Sequence, residues 1–210
     1  WGVALRVELG AGAFFVIGGS SRLQLGGLTV HGPAANVPTP RVAEATIVVE
    51  GGSTVDVRRW ATDPSSDVVP PHPAALAIAF LVSSAGSDAT PTVIERVGMA
   101  VVGESRVTAR CFSLAETAAC DAAAVALALR KTNSTLRGRV SVAVAGGSTV
   151  IAETLRPSPS SASTMLPVHS DARAAAAAVL VGAHASSASI DGDVAVSVSG
   201  GSTVSARGRR

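Results

Sequence analysis

One pentapeptide, Gly-Gly-Ser-Thr-Val, occurs three times without change in this chain of 210 residues, at 51–55, 146–150 and 200–204. Weaker copies at 19–23 and 103–107 keep glycine in the first place and an aliphatic residue in the last. Such internal repetition is typical of chains built from stacked supersecondary units. We therefore treat residues 1–210 as a single repetitive domain with a repeat turn near each of these segments.

The first glycine of the repeat is present in all five copies: Gly19, Gly51, Gly103, Gly146 and Gly200. A position that accepts only glycine predicts a backbone with positive φ, or the close approach of another chain segment. The serine two places later recurs at spacings of 32, 52, 43 and 54 residues. The period is loose, so the segments between turns are expected to vary in length.

Strand-forming residues lie on both sides of these turns. Valine takes every second place in Val140–Val144 and in Val194–Val198, which puts all of these valines on one face of a strand. The alternation resumes after the turn, as in Val55–Val57. Each turn is therefore predicted to join two strands.

Alanine-rich segments precede the last three turns, at 74–82, 122–129 and 174–181. Small and large apolar residues alternate in the first two segments, which favours a buried strand. In the third, Ser170-Asp171 before an alanine run is also typical of a capped helix. We favour strands, because equivalent segments of a repeat share one structure.

The predicted fold is mainly β: a right-handed parallel β-helix, or solenoid, with irregular loops. The segments 62–73 and 156–167 are rich in proline and serine and would form two of those loops. Two alternatives remain: a β-sandwich-like array of antiparallel hairpins, or β strands combined with alanine-rich helices.

Composition indicates a packed chain, because 47% of residues are hydrophobic and only 15% are charged. The arginines are scattered and Lys131 is the only lysine, so neither a nucleic-acid surface nor a phosphate-binding loop is expected. The uninterrupted apolar runs are too short to cross a bilayer, so no transmembrane span is expected. The chain starts at Trp1, from which we expect a piece of a larger protein.

No catalytic constellation is visible, and no cofactor or metal is expected. Gly103-Glu104-Ser105 begins like a nucleophile elbow, but Val107 occupies the place of the second glycine. Asp191-Gly192-Asp193 is the one close pair of aspartates and is more typical of a turn. Asp63, Asp67 and His72, in a proline-rich segment, are interpreted as solvated loop residues.

The redox state of two cysteines and the glycosylation of one sequon depend on the compartment in which the protein matures. Cys111 and Cys120 could close a small disulfide loop in an oxidising compartment, or could be two buried thiols. Asn133-Ser134-Thr135 is an acceptor site for N-glycosylation if the chain is secreted.

The chain resembles the dispersed gene family surface proteins of kinetoplastid parasites. The resemblance rests on the Gly-Gly-Ser-Thr-Val turns, the valine-alternating strands, the arginine-rich and almost lysine-free composition, and the segment 37–46. It implies a non-catalytic, glycosylated, membrane-associated segment at the cell surface or secreted. The implied role is adhesion, with a host cell, an extracellular matrix protein or a glycan as partner. The alternative function is a polysaccharide-acting β-helix enzyme, a lyase or hydrolase.

Overall fold

The computed structural model describes residues 4–8, 13–17, 22–25, 27–31, 41–42, 45–61, 74–82, 92–113, 120–129, 133–155, 176–183 and 187–209. Strands and short turns account for all of these residues, and no helix occurs among them, so the chain is mainly β as predicted. The strands are β1 (Ala4–Glu8), β2 (Ala13–Ile17), β3 (Arg22–Leu25), β4 (Gly27–His31), β5 (Arg41–Val42), β6 (Ala45–Val49), β7 (Thr54–Ala61), β8 (Ala74–Val82), β9 (Thr92–Val101), β10 (Arg106–Ser113), β11 (Asp121–Leu129), β12 (Ser134–Val144), β13 (Thr149–Leu155), β14 (Ala176–Ala183), β15 (Ser189–Ile190), β16 (Val194–Val198) and β17 (Thr203–Arg209).

The strands form three sheets in which every described pairing is parallel. Sheet A has the order β1-β4-β8-β11-β14, and sheet C has the order β3-β7-β10-β13-β17. Sheet B runs β2-β6-β9-β12, with β15 and β16 both paired to β12 and β5 paired to β9. The antiparallel hairpins of the sandwich alternative do not occur in the described part of the chain.

The chain passes through sheets A, B and C in the same order five times. We call these passes units 1 to 5: β1–β3, β4–β7, β8–β10, β11–β13 and β14–β17. Each described pairing therefore joins strands of consecutive units, and none joins strands that are neighbours in sequence.

The strand register aligns the copies of the repeat. In sheet C, Val107 pairs with both Val55 and Val150, and Val150 pairs with Val204. Leu23, the last residue of the weakest copy, pairs with Val55. The sequence repeat and the spatial repeat therefore coincide.

The core lies between the three sheets and is made of the alternate side chains predicted from sequence. In β12, Val140, Val142 and Val144 are buried, whereas Ser141 and Ala143 between them are only partly buried. Val55 from sheet C belongs to the same buried cluster. Burial stabilises each such valine by about 1.5–3 kcal/mol relative to exposure. Phe80 adds one large ring to this otherwise aliphatic cluster of described residues.

The alanine-rich segments are strands of sheet A, so the helical interpretation is wrong for the described residues 74–82, 121–129 and 176–183. Every residue from Ala122 to Leu129 is buried, so both faces of β11 are covered. On one face alanines form a small second cluster, to which Leu76 and Leu180 add partly buried side chains. This two-sided burial explains why β11 lacks the polar alternation of a half-exposed strand. Strand β14 is mostly partly buried.

Candidate functional site

The repeat turns join sheet B to sheet C and all have the same backbone. The first two residues of each described turn have positive φ: 66° and 71° at Gly51 and Gly52, and 66° and 75° at Gly146 and Gly147. In unit 3 the second place is taken by Glu104, with φ of 62°. Two successive residues in the left-handed region form a tight corner between the sheets, and glycine is favoured there because it adopts positive φ without steric cost.

The first glycine meets a second requirement, close approach to the preceding unit. A Cβ at Gly146 would lie 3.1 Å from the nitrogen of Gly103, and one at Gly200 would lie 2.9 Å from the nitrogen of Gly146. A Cβ at Gly147 would meet only the flexible Glu104 side chain. This explains why the first place is always glycine and the second also accepts glutamate. Gly19, the equivalent in unit 1, lies outside the described residues.

Backbone hydrogen bonds link each turn to the next. The N–H groups of Gly52, Glu104 and Gly147 donate to the carbonyl oxygens of Gly103, Gly146 and Gly200, at 2.7–2.8 Å. Backbone hydrogen bonds therefore link the units within the corner itself, and the turns of units 2 to 5 stack in one column.

The repeated serines form a second ladder inside this column. The Ser105 hydroxyl donates to the Val102 carbonyl at 2.7 Å and accepts the Ser53 N–H at 3.2 Å. The Ser148 hydroxyl likewise donates to the Ala145 carbonyl at 2.8 Å and accepts the Ser105 N–H at 3.2 Å.

These serines have the geometry of structural groups. Ser105 is 1% exposed and Ser148 is 0% exposed, and each hydroxyl is used both as a donor and as an acceptor. No histidine lies in the hydrogen bonds of the column. A hydroxyl held in this way is closed to substrate and lacks a base to activate it.

Gly138 and Gly192 form another stacked pair of glycines that the sequence analysis missed. The β12–β9 register shifts between Leu136 and Arg139, which is a β-bulge opposite Glu95. A Cβ at Gly138 would overlap the Glu95 carbonyl oxygen, and one at Gly192 would overlap the Gly138 carbonyl oxygen. A signal was present, because Gly138 and Gly192 each precede the repeat serine of their unit by the same number of residues.

The outer face of sheet C carries ion pairs that cross three units. Arg110 of unit 3 pairs with Glu153 of unit 4, with 2.9 Å between Nε and Oε2. It also pairs with Asp56 of unit 2, with 3.4 Å between Nη1 and Oδ1. Arg58 Nη2 is 2.8 Å from Asp56 Oδ2. The carboxylates are mostly buried, so these pairs are satisfied structural contacts along the stack, each worth about 0.2–1 kcal/mol.

The outer face of sheet B holds a shallow depression among the described residues. Gly98 lies in the floor of this depression of about 260 Å³, with Thr46 and Ser141 on either side. The exposed Arg96 and Arg139 are register partners on adjacent strands and line the same depression. We call Thr46, Arg96, Gly98, Arg139 and Ser141 the arginine depression.

This arrangement suits an anionic ligand. Guanidinium groups bind carboxylates and sulfates with directed hydrogen bonds, and hydroxyls can add further contacts. The depression is small and open, and none of its residues is a nucleophile paired with a base. It is therefore a candidate site for binding rather than for chemistry.

The two cysteines are joined in a disulfide, with 5.7 Å between their Cα atoms. Cys111 lies within β10 of sheet C and Cys120 directly precedes β11 of sheet A, so the bond spans the connection between these two sheets. Both residues are completely buried. Asn133 of the sequon lies in a turn with φ of 59° and is partly buried.

The remaining sequence candidates are not gathered into a site. Asp191 and Asp193 are exposed and flank Gly192, and their backbone groups pair with Leu136 and Val140 of unit 4. No group of three metal-binding side chains occurs within the described ranges. Asp63, Asp67 and His72 lie outside the described residues.

Comparison with known proteins finds no matching family model, no similar curated protein and no similar solved structure. The expected resemblance to kinetoplastid surface proteins therefore stays a prediction. Among the described residues, no helix has the length and apolar character needed to span a membrane.

Proposed function

We propose that this chain is a non-catalytic display scaffold: a right-handed parallel β-helix at the cell surface, or secreted, that binds a host cell, matrix protein or glycan. The observation that carries the proposal is the contrast between two corners of the repeat. The corner from sheet B to sheet C keeps one short turn in the described units. The corner from sheet C to sheet A is bridged by 62–73, 114–120 and 156–175, which differ in length and sequence.

We infer from this contrast that the turns from sheet B to sheet C support the fold and that the connections from sheet C to sheet A carry the variation. Fixed turns and buried alternate side chains hold the units in register, whereas connections of unequal length can vary without changing the sheets. Variable segments would therefore be presented side by side along one edge of a rigid stack. Stacked scaffolds of this kind commonly provide extended binding surfaces.

The disulfide supports an extracellular location. Disulfides persist in oxidising compartments and are rare in the cytosol, where thiols are kept reduced. The Cys111–Cys120 bond and the sequon at Asn133 both fit a secreted or surface protein.

The arginine depression supplies the first contact to test. We expect the folded recombinant chain to bind host cells, matrix proteins or acidic glycans, and Arg96→Ser with Arg139→Ser to weaken binding of an acidic glycan at least tenfold. The matched control is Arg106→Ser with Arg207→Ser, which removes two exposed arginines from sheet C instead. Added salt should weaken the wild-type interaction, because exposed charges are screened.

Two results would contradict the proposal. Correctly folded protein that binds none of these targets would reduce the chain to a spacer. Turnover of an acidic polysaccharide that disappears in Asp191→Ala or Asp193→Ala would favour the alternative, a β-helix enzyme.

A further inference from the structure

A gap interrupts the outer face of sheet B at Gly98. Thr46, Gly98 and Ser141 are register partners in units 2, 3 and 4 and share one outward column. Because Gly98 has no side chain, the column is empty between two residues that carry hydroxyl groups. A Cβ at Gly98 would lie 3.5 Å from Thr46 Oγ1 and 3.6 Å from Ser141 Oγ, so both hydroxyls border the gap. We call this gap the Gly98 notch.

The two hydroxyls of the notch are accessible to a ligand. Thr46 and Ser141 are only partly buried, and no hydrogen bond to another described residue uses either hydroxyl. A hydroxyl group both donates and accepts hydrogen bonds, as do the hydroxyls of a sugar ring. The notch therefore presents two matching polar groups on opposite sides of a space as wide as one side chain.

Positive charge lies on one side of the notch only. Arg96 and Arg139 occupy the outward column on that side, and Ala100 and Ala143 occupy the column on the other side. In unit 5, Asp193 continues the arginine column, since it directly precedes the register partner of Val140. Its carboxylate repels a second negative group at that place. The surface therefore suits a ligand whose negative charge is confined to one group.

We propose that the arginine depression binds one sugar residue that carries a single oxyanion, either a carboxylate or a sulfate. The guanidinium groups of Arg96 and Arg139 donate to the oxyanion, and the hydroxyls that border the Gly98 notch bind hydroxyls of the sugar ring. The volume of about 260 Å³ is slightly below that of pockets for drug-sized molecules, which suits one sugar residue. The inference rests on the proposed function, because it narrows the acidic glycans named there to this class.

Four small probes test the ligand class: methyl glucoside, methyl glucuronide, a methyl glucoside sulfate ester and inorganic sulfate. Titration of the folded wild-type chain, followed by NMR, measures weak affinities of this kind. We expect at least one of the two charged sugars to bind about tenfold more tightly than methyl glucoside and inorganic sulfate, because each of these makes only part of the contacts. The tighter of the two charged sugars identifies the oxyanion. Inorganic sulfate that binds as tightly as both charged sugars would overturn the proposal.

Two variants test the notch separately from the charge. Gly98→Ala places a methyl group in the notch at ordinary contact distances, so it should weaken binding of the charged sugar about tenfold without unfolding the chain. Thr46→Val with Ser141→Ala removes both hydroxyls and should act in the same direction. Both variants should bind inorganic sulfate as wild type does. Gly208→Ala in sheet C is the matched control, because its Cβ also makes an ordinary contact, 3.6 Å from Thr154 Oγ1.

The outcomes separate this inference from the proposed function. Both notch variants could bind the charged sugar like wild type while Arg96→Ser with Arg139→Ser loses it. The depression would then be a plain charged patch, so the inference would be wrong and the proposed function would stand. Failure of the folded wild-type chain to bind either charged sugar would also overturn the inference. In that case, binding to host cells, matrix proteins or glycan polymers decides the proposed function on its own.

Discussion

At the residue scale, the repeat serine contributes to stability and not to chemistry. Its buried hydroxyl replaces a backbone partner at a corner, where the tight turn would otherwise leave an N–H and a carbonyl poorly paired. One side chain therefore joins two units and closes its own turn.

Replacing Ser105 by alanine removes this hydroxyl from the middle of the column. We expect the free energy of unfolding to fall by about 1–3 kcal/mol, because the Ser53 N–H loses a partner in a buried position. Urea denaturation followed by circular dichroism measures the change. Ser205→Ala is the control: its buried hydroxyl has no hydrogen-bond partner, so its removal should be neutral or slightly stabilising. Equal losses in both variants would contradict the ladder.

Glu104 offers a substitution that should stabilise the protein. A non-glycine residue with positive φ carries about 1–2 kcal/mol of strain, part of which is offset by the extra chain entropy that glycine loses on folding. Glu104→Gly should therefore gain about 0.5–1 kcal/mol, seen as a higher midpoint in thermal unfolding. In the reverse direction, Gly146→Ala should cost more than Gly147→Ala, because only the Cβ at 146 approaches backbone.

At the element scale, strand β12 depends on a bulge as much as on its valines. The bulge lets a long strand bend while Val140, Val142 and Val144 stay inward. Gly138 makes this possible by letting the backbone of unit 3 lie where a side chain would be.

Gly138→Ala tests the bulge. We expect a loss of about 3 kcal/mol or failure to fold, because the new methyl group would overlap a carbonyl oxygen of the neighbouring strand. Gly98→Ala, in the adjacent strand of the same sheet, is the matched control. Its methyl group would lie 3.5 Å or more from its neighbours, and alanine suits a strand better than glycine, so stability should hold or rise slightly. Chemical denaturation of both variants distinguishes the two sites.

The disulfide tightens the connection between β10 of unit 3 and β11 of unit 4. Replacing both Cys111 and Cys120 by alanine should lower stability by about 2–3 kcal/mol, the chain-entropy value for a short loop. Non-reduced peptide mapping of the wild-type protein should recover the two cysteines in one linked fragment. Two free thiols in protein from an oxidising compartment would contradict the bond.

At the scale of the whole molecule, position in the stack decides what a core substitution costs. Val142→Ala removes buried methyl groups between two units and should cost about 2–3 kcal/mol. Val196→Ala, the equivalent change in unit 5, should cost about 0.5 kcal/mol or less in the monomer, because that side chain is half exposed. Denaturation at low protein concentration compares them. Equal costs would mean that the last unit is covered.

The sequence predicts the parts of this fold that repeat locally. Glycine in the first turn position predicted positive φ or close approach, and both occur in the described turns. Valine alternation predicted the inward faces of β12 and β16. Contacts between units were missed because they depend on register: Arg110 and Glu153 meet only because both follow the repeat serine at the same offset. The arginine depression was missed for the same reason.

The parallel pairing of strands from different units also governs how the chain can fold. The serines that bond to each other are 43, 52 and 54 residues apart, and the described sheet pairings join residues that are between 23 and 54 positions apart. Contacts between residues distant in sequence form slowly, because a long segment of chain loses conformational entropy before any contact compensates for that loss. During synthesis, the strand edges of each unit therefore stay unpaired until the next unit has left the ribosome. Chaperones would be most useful in that interval.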